Sequence, residues 1–212
     1  VINHASRKSE YFEEFLKGSS TYKDFFISLD NDEGFENVVR PRSSDLFQEM
    51  DISNKKKYLW CTFGHDQIDL NFKNPEVLLF FIELIYLYLN NGVKVFRLDA
   101  VAFLWKEKGT NCLNLPQTHE VVKLIRTLLD NYNQNTLLIT ETNLPNLENL
   151  SYFGSGDEAN AIYNFTLPPL LIWTLLMGDS TALRKWSMSM PPAKENTTYF
   201  NFIASHDGIG LR

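Results

Sequence analysis

The stretch VFRLDAVAF, residues 95–103, decides the fold, because it combines the apolar alternation of a strand with two charged residues. Successive side chains of a strand point to opposite faces, so Val95, Arg97 and Asp99 share one face. Burying an ionised carboxylate is costly unless the carboxylate is paired. We therefore expect the guanidinium of Arg97 to keep Asp99 ionised. The simplest structural explanation for these two charged residues is an ion pair between them at the end of a buried strand.

Strands and helices alternate on the C-terminal side of residue 74. Strands are predicted at 93–101, 136–143, 159–167 and 197–208, and helices at 75–89, 117–132, 145–153, 167–178 and 180–189. Such alternation is typical of βα units and a parallel sheet. The sequence therefore predicts an α/β fold.

Residues 5–60 lack strong periodicity and predict a long, loop-rich insertion with little regular structure. Within it, the three lysines at 55–57 predict a solvated tip. The chain opens on Val1 and stops at Arg212 in the middle of recognisable motifs, so we expect it to be a fragment.

Composition narrows the class of protein. The chain has 212 residues, 44% of them hydrophobic, and a formal net charge of -6, which argues against nucleic-acid and anionic membrane partners. The apolar run 77–89 contains Glu83 and is too short to span a membrane, so it predicts a buried core helix. Two cysteines and no signal peptide favour a cytoplasmic protein.

Two further strands also end in acidic residues. LLIT is followed by Glu141, and NFIAS is followed by His206 and Asp207. Because the carboxyl ends of parallel strands form active sites in α/β folds, this pattern predicts a catalytic rim. Hard-metal coordination and glycosyl transfer both use several carboxylates. Arg97 favours glycosyl transfer, since a cation competes with a metal, and Glu141, with no basic neighbour in the chain, is the better group to hold a proton.

Four motifs resemble glycoside hydrolase family 13, the α-amylase superfamily. They are NH at 3–4, FRLDAV at 96–101, ITETN at 139–143 and ASHDGIG at 204–210. The resemblance implies a partial (β/α)8 TIM barrel that runs from the end of strand 3 to strand 7. Residues 1–4 would end barrel strand 3, residues 5–65 would form the inserted domain B, and residues 66–212 would supply strands 4 to 7 with their helices.

The same resemblance assigns roles to the residues in these motifs. Asp99 would be the nucleophile, Glu141 the general acid/base and Asp207 the acid that steadies the transition state. The glucosyl ring would be bound by His4, Arg97 and His206.

Further sequence segments are similar to those of the sucrose phosphorylase subfamily. These segments include RPR at 40–42, TFGHDQIDLNF at 62–72, FLWKEKGT at 103–110 and LPPLL at 167–171. The subfamily implies transfer of an α-glucosyl unit to inorganic phosphate with retention, through two carboxyl groups about 5 to 5.5 Å apart. It implies small-molecule partners, an α-glucoside and phosphate, and no metal or organic cofactor.

Two positions depart from the sucrose phosphorylase pattern. Phe103 stands where the pattern has tyrosine, and Asn143 stands where it has histidine. Both residues are expected near the acceptor. The sequence around them is more similar to that of the glucosylglycerate and glucosylglycerol phosphorylases of the subfamily. Arg40 and Arg42 are candidates to contact an anionic acceptor, with a structural loop role as the alternative.

Two other functions remain open at this point. An α-glucosidase or sucrose hydrolase would use the same barrel with water as the acceptor. A non-catalytic sugar-binding relic of the barrel is the alternative from another class, and the intact Asp99, Glu141 and Asp207 count against it.

Overall fold

The computed structural model describes residues 1–52, 54–132 and 135–205. The strands are β1 (His4–Ser6), β2 (Ser28–Leu29), β3 (Phe47–Ile52), β4 (Lys55–Trp60), β5 (Gln67–Asp69), β6 (Val95–Leu98), β7 (Leu137–Thr140), β8 (Ala161–Tyr163) and β9 (Thr198–Phe200). The helices are α1 (Glu10–Leu16), α2 (Pro75–Asn90), α3 (Pro116–Tyr132), α4 (Asn146–Ser151), α5 (Leu167–Met177) and α6 (Thr181–Ser189), with a 3-10 helix at Val101–Phe103.

The chain divides into two compact units. The first unit holds Val1–Lys94 and Leu98–Val121, and the second holds Val95–Arg97 and Val122–Arg212. The division falls within β6, so Arg97 belongs to the second unit and Asp99 belongs to the first.

Two antiparallel sheets organise the first unit. β1 pairs with β5, and this register sets His4 opposite Asp69. β2, β4 and β3 form a three-stranded sheet in that order. Trp60 is buried at the end of β4 and packs edge-on against Phe35 and Phe47, with ring centroids 5.0 and 5.3 Å away.

The segment 5–60 is more regular than the sequence predicts. It contains α1 and the three-stranded sheet, and the lysines of the expected solvated tip lie on β4. Lys56 pairs with Glu49 at 2.6 Å, and Lys57 pairs with Asp30 at 2.7 Å. The extra regular structure was not predicted because polar and charged side chains occupy strand positions, so the segment lacks the apolar alternation that marks a half-buried strand. Lys55 and Lys56 are exposed where the β3–β4 hairpin turns, as expected for a solvated tip.

Helix α2 confirms the predicted helix and its end signals. The Asn74 side chain accepts a hydrogen bond from the Glu76 backbone N–H at 3.1 Å, and Pro75 occupies the first turn. Gly92, with φ of +84°, follows the C-terminal end. One face is buried, through Val77, Phe81, Ile85 and Leu89. Within the part of the chain that the structure describes, no helix is long and apolar enough to cross a membrane.

A four-stranded sheet organises the second unit. Its strand order is β6, β7, β8, β9, and the β7–β8 and β8–β9 pairs are parallel. The strands are shorter than predicted. In β6, Val95 and Arg97 are exposed and Leu98 is buried, so the alternation holds although the run as a whole is not buried. Because parallel strands point the same way, the residues that follow β7, β8 and β9 lie along one edge of the sheet.

Candidate active site

The structure distributes the predicted site residues between the two units. The first unit holds His4, Arg40, Arg42, Asp99 and Phe103, and the second holds Arg97, Glu141 and Asn143. His206 and Asp207 lie outside the described residues.

His4 is positioned by the β1–β5 pairing. Its Nε2 lies 2.8 Å from Nε2 of Gln67 on β5, a contact that suits a neutral ring whose lone pair accepts the amide hydrogen. Burial lowers the pKa of His4 below its usual 6.5, against the attraction of the Asp69 and Asp99 carboxylates, and nearby Lys106 lowers it further. His4 is therefore a neutral hydrogen-bonding group at neutral pH.

Beneath His4 lies a buried polar network centred on Asp69. This carboxylate is fully buried and lies 2.6 Å from the Lys106 Nζ, whose side chain is 5% exposed. Asp69 also accepts hydrogen bonds from Asn3 Nδ2 at 2.8 Å and from the backbone N–H and hydroxyl of Thr62 at 2.9 and 2.6 Å. Lys106 completes the network by donating to Asn3 Oδ1 at 2.8 Å.

The network holds in place the residue before His4, Asn3, and the residue opposite it in the sheet, Asp69. Burial lowers the pKa of the Lys106 ammonium, and its ion pair with Asp69 opposes that shift. Because Asn3 precedes His4 in the chain and Asp69 faces it across the sheet, the network fixes the backbone that presents the histidine.

Asp99 lies in the turn directly after β6, and its neighbour has an unusual backbone. Ala100 has φ of +55° and ψ of +25°, the left-handed conformation that residues with a Cβ rarely adopt. Strain of this kind is concentrated at functional sites, where the surrounding structure holds it in place. Asp99 acts electrostatically on His4, which is consistent with the two residues serving one site of the first unit.

Phe103 ends the 3-10 helix and packs within the first unit. Its ring lies edge-on to Phe63 at 5.3 Å, and Phe63 lies 5.3 Å from the ring of His4. The departure from the sucrose phosphorylase pattern at Phe103 therefore places an apolar ring in an aromatic row that begins at His4.

In the second unit, Arg97 and Glu141 form an ion pair. Arg97 Nη2 lies 2.7 Å from Glu141 Oε1, and the Glu141 side chain is 11% exposed. This corrects the expectation that Glu141 stands apart from basic groups, because its basic neighbour comes from the adjacent strand and not from the adjacent sequence.

Tyr163, which ends β8, completes this arrangement. Its hydroxyl accepts a hydrogen bond from Arg97 Nε at 3.0 Å, and the guanidinium lies 5.4 Å from the centroid of its ring. The residue after Glu141 is tied to the same strand, since Thr142 donates to Asn149 at 2.5 Å and Asn149 donates to the Tyr163 carbonyl at 2.9 Å. Asn143, the next residue, is exposed.

The two arginines proposed for the acceptor differ in their surroundings. Arg40 is partly buried, and its Nη2 donates to Ser44 at 3.4 Å. Its Nε is buried and has no hydrogen-bond partner among the described residues. Arg42 is exposed. Leaving a buried donor without a partner costs free energy of folding. Arg40 is therefore the better candidate of the two arginines for binding an anion.

Sequence reasoning missed three residues that act on predicted site residues within their own units, namely Gln67 and Lys106 near His4 in the first unit and Tyr163 beside Arg97 in the second. Lys106 carried the clearest signal, because it directly follows the apolar run VAFLW. Gln67 and Tyr163 gave none, because their importance depends on which strands become neighbours.

Known proteins resemble the chain over its whole length. A family model described as "Alpha amylase, catalytic domain" matches residues 1–208. The glucosylglycerate phosphorylase of Spirochaeta thermophila is 46% identical over 211 residues, which cover 100% of this chain and 36% of that protein. The protein of the same name from Escherichia coli is 46% identical over 215 residues, with 100% and 38% covered.

A solved structure agrees with these matches. The crystal structure of sucrose 6F-phosphate phosphorylase from Thermoanaerobacter thermosaccharolyticum has a TM-score of 0.83 at 28% identity and covers 100% of this chain and 44% of that one. The chain thus spans little more than a third of the length of the curated relatives it matches. The matches confirm the predicted family resemblance and the α/β class of a partial amylase barrel, and the chain belongs to the α-amylase family as part of its catalytic domain.

Proposed function

We propose that the chain is the central part of a retaining phosphorylase that transfers an α-glucosyl unit from a glucosylglycerate-type donor to inorganic phosphate. The observation that supports this most directly is the 46% identity, over the whole chain, to proteins named glucosylglycerate phosphorylase. The products are α-glucose 1-phosphate and the released acceptor.

The reaction proceeds by double displacement. A carboxylate oxygen of Asp99 bonds to C1 of glucose while Glu141 gives its proton to the departing oxygen. A phosphate oxygen then attacks C1, the bond to Asp99 breaks, and Glu141 takes a proton from phosphate. Asp207, outside the described residues, steadies the charge that develops on the sugar, and His4, Arg97 and His206 bind the glucosyl ring. No metal or organic cofactor takes part in these steps.

The surroundings of Arg40 support the proposal that an anionic ligand binds at the acceptor position. Its buried Nε has no partner among the residues that the structure describes, and a phosphate or carboxylate oxygen would satisfy it. Arg42, Phe103 and Asn143 complete the proposed acceptor side. We place the enzyme in the cytoplasm, where inorganic phosphate is plentiful, with the α-glucoside and phosphate as its partners.

The test uses the full-length protein that contains this chain. Glucosylglycerate, glucosylglycerol and sucrose are each supplied with phosphate, and α-glucose 1-phosphate and free glucose are quantified. We expect phosphate-dependent release of α-glucose 1-phosphate, fastest from glucosylglycerate. Free glucose as the sole product would identify a hydrolase instead.

A matched pair of variants separates an enzyme from a sugar-binding relic. Asp99→Asn removes the nucleophile and is expected to abolish turnover, whereas Asp157→Asn changes an exposed loop carboxylate of the second unit and is expected to leave it unchanged. Wild-type turnover by Asp99→Asn would refute the enzymatic proposal.

A further inference from the structure

The contacts of Tyr163 suggest a role that its position in the sequence does not reveal. Its hydroxyl accepts the Nε–H of Arg97 at 3.0 Å, and Arg97 Nη2 lies 2.7 Å from Glu141 Oε1. The guanidinium is planar and rigid, so fixing Nε at one edge also fixes where the other edge points. The three side chains come from three consecutive strands of the second unit, β8, β6 and β7.

The ring of Tyr163 is itself held rigidly. Three phenylalanines surround it, Phe165 at 5.5 Å, Phe200 at 4.8 Å and Phe202 at 5.3 Å between ring centroids. The backbone carbonyl of Tyr163 accepts the hydrogen bond of Asn149, which also binds Thr142 beside Glu141. Both the side chain and the backbone around Glu141 are therefore tied to the same tyrosine.

We propose that Tyr163 is a positioning residue for the acid/base, acting through Arg97 to hold the guanidinium against Glu141. The inference rests on the acid/base role proposed for Glu141, but it does not depend on the glucosyl acceptor. Glu141 protonates the leaving oxygen in the first step, which is common to phosphorolysis and hydrolysis. The groups that act on its carboxylate include the Arg97 guanidinium from β6 and, through it, the Tyr163 phenol from β8.

The sign of the expected effect follows from charge. Arg97 stabilises ionised Glu141, so a looser guanidinium lets Glu141 retain its proton to higher pH. In kcat/KM the alkaline limb reports the acid of the free enzyme. Removing the Tyr163 hydroxyl should therefore move this limb to higher pH, an effect that general loosening of the fold would not produce.

The experiment compares Tyr163→Phe with Tyr199→Phe in the full-length protein. Tyr199 lies on β9, opposite Ile162 of β8, and its hydroxyl donates to the Pro191 carbonyl at 2.8 Å. Each variant loses one hydroxyl and keeps its ring. Circular dichroism establishes that each variant is folded.

Two substrates distinguish acid catalysis from binding. A glucoside needs a proton on its leaving oxygen, whereas fluoride leaves α-glucosyl fluoride without one. For Tyr163→Phe we expect kcat/KM on the glucoside to fall about 3- to 10-fold and its alkaline limb to rise by about 0.3 to 1 pH unit. The kcat/KM for α-glucosyl fluoride, and both values for Tyr199→Phe, should stay near wild type.

The inference would be overturned if the alkaline limb of Tyr163→Phe stayed at the wild-type pH, or if its kcat/KM fell equally on the glucoside and on α-glucosyl fluoride. If the wild-type protein forms only free glucose, the proposed phosphorolysis fails, while the comparison of Tyr163→Phe with Tyr199→Phe is still measured on the hydrolytic reaction.

Discussion

Replacing Lys106 by methionine removes the only charge that the structure sets directly against the fully buried Asp69 among the described residues. Methionine keeps most of the apolar stem of the lysine, so the change is chiefly one of charge. Removing one partner of a buried ion pair typically destabilises a protein by about 3 to 5 kcal/mol, because the other charge stays buried. The variant therefore tests whether the pair supports the fold around His4.

The geometry places Lys106→Met toward the lower end of that range. Asp69 keeps three other donors, from Asn3 and from the backbone and hydroxyl of Thr62. Asn3 Oδ1 loses the Lys106 donor, which adds about 1 kcal/mol. We expect the free energy of unfolding of the full-length protein to fall by about 3 to 4 kcal/mol.

Lys73→Met is the matched control. Lys73 pairs with Glu107 at 2.7 Å, nearly the same distance, but both side chains are about half exposed, at 48% and 46%. Exposed pairs contribute about 0 to 1 kcal/mol. Urea unfolding followed by tryptophan fluorescence measures both variants, and Trp60, hydrogen-bonded to Thr62 at 3.0 Å, lies beside the network.

A third variant identifies the cause of the loss. Asp69→Asn added to Lys106→Met removes the stranded charge and should recover part of the stability. If Lys106→Met differs from Lys73→Met by less than about 1 kcal/mol, burial of the charge does not govern the pair and the reasoning fails.

Two more predictions concern the residues around Asp99. His4 stays neutral in the folded protein because burial lowers its pKa, so the histidine favours folding fully above pH 6.5 and ceases to do so as the pH falls below that value; an NMR titration of its ring with a midpoint at or above 6.5 would contradict this. Ala100→Gly relieves the left-handed strain but frees the backbone, so stability should change by no more than about 1 kcal/mol while kcat/KM falls. Unchanged kcat/KM in the folded Ala100→Gly variant would show that the strained turn does not position Asp99.

The sequence predicted the elements whose signals are local. The apolar run 77–89 marked α2 to within one residue of its observed end, and the acid after LLIT marked Glu141 at a strand end. The β3–β4 hairpin was missed because half the residues of its strands, FQEMDI and KKKYLW, are polar and do not alternate regularly with the apolar ones, so that their pairing and not their pattern makes them strands. Local patterns thus predict where a residue lies on its own element.

Partners that come from distant segments could not be predicted in this way. Asp69 and Lys106, and likewise Arg97 and Glu141, meet through pairing that no local pattern specifies. Glu141 illustrates how such long-range pairing changes the surroundings of a residue. In the chain its neighbours are threonines, which suggested a carboxyl free to keep a proton, whereas the sheet supplies Arg97. Proximity in the sequence was therefore the wrong guide to its charged partner.

That ion pair bears on how a double displacement would be balanced. The first step needs Glu141 protonated and the second needs it ionised, so one carboxyl group must serve two opposite states. Arg97 favours the ionised state, which suits the step in which phosphate gives up its proton and makes protonation before the first step the more demanding requirement. A guanidinium whose Nε–H is held by the Tyr163 hydroxyl can set this balance reproducibly, because the hydrogen bond limits the movement of the arginine side chain. If Glu141 is the acid/base as proposed, the aromatic cluster around Tyr163 supports acid/base catalysis although none of its rings needs to touch the sugar.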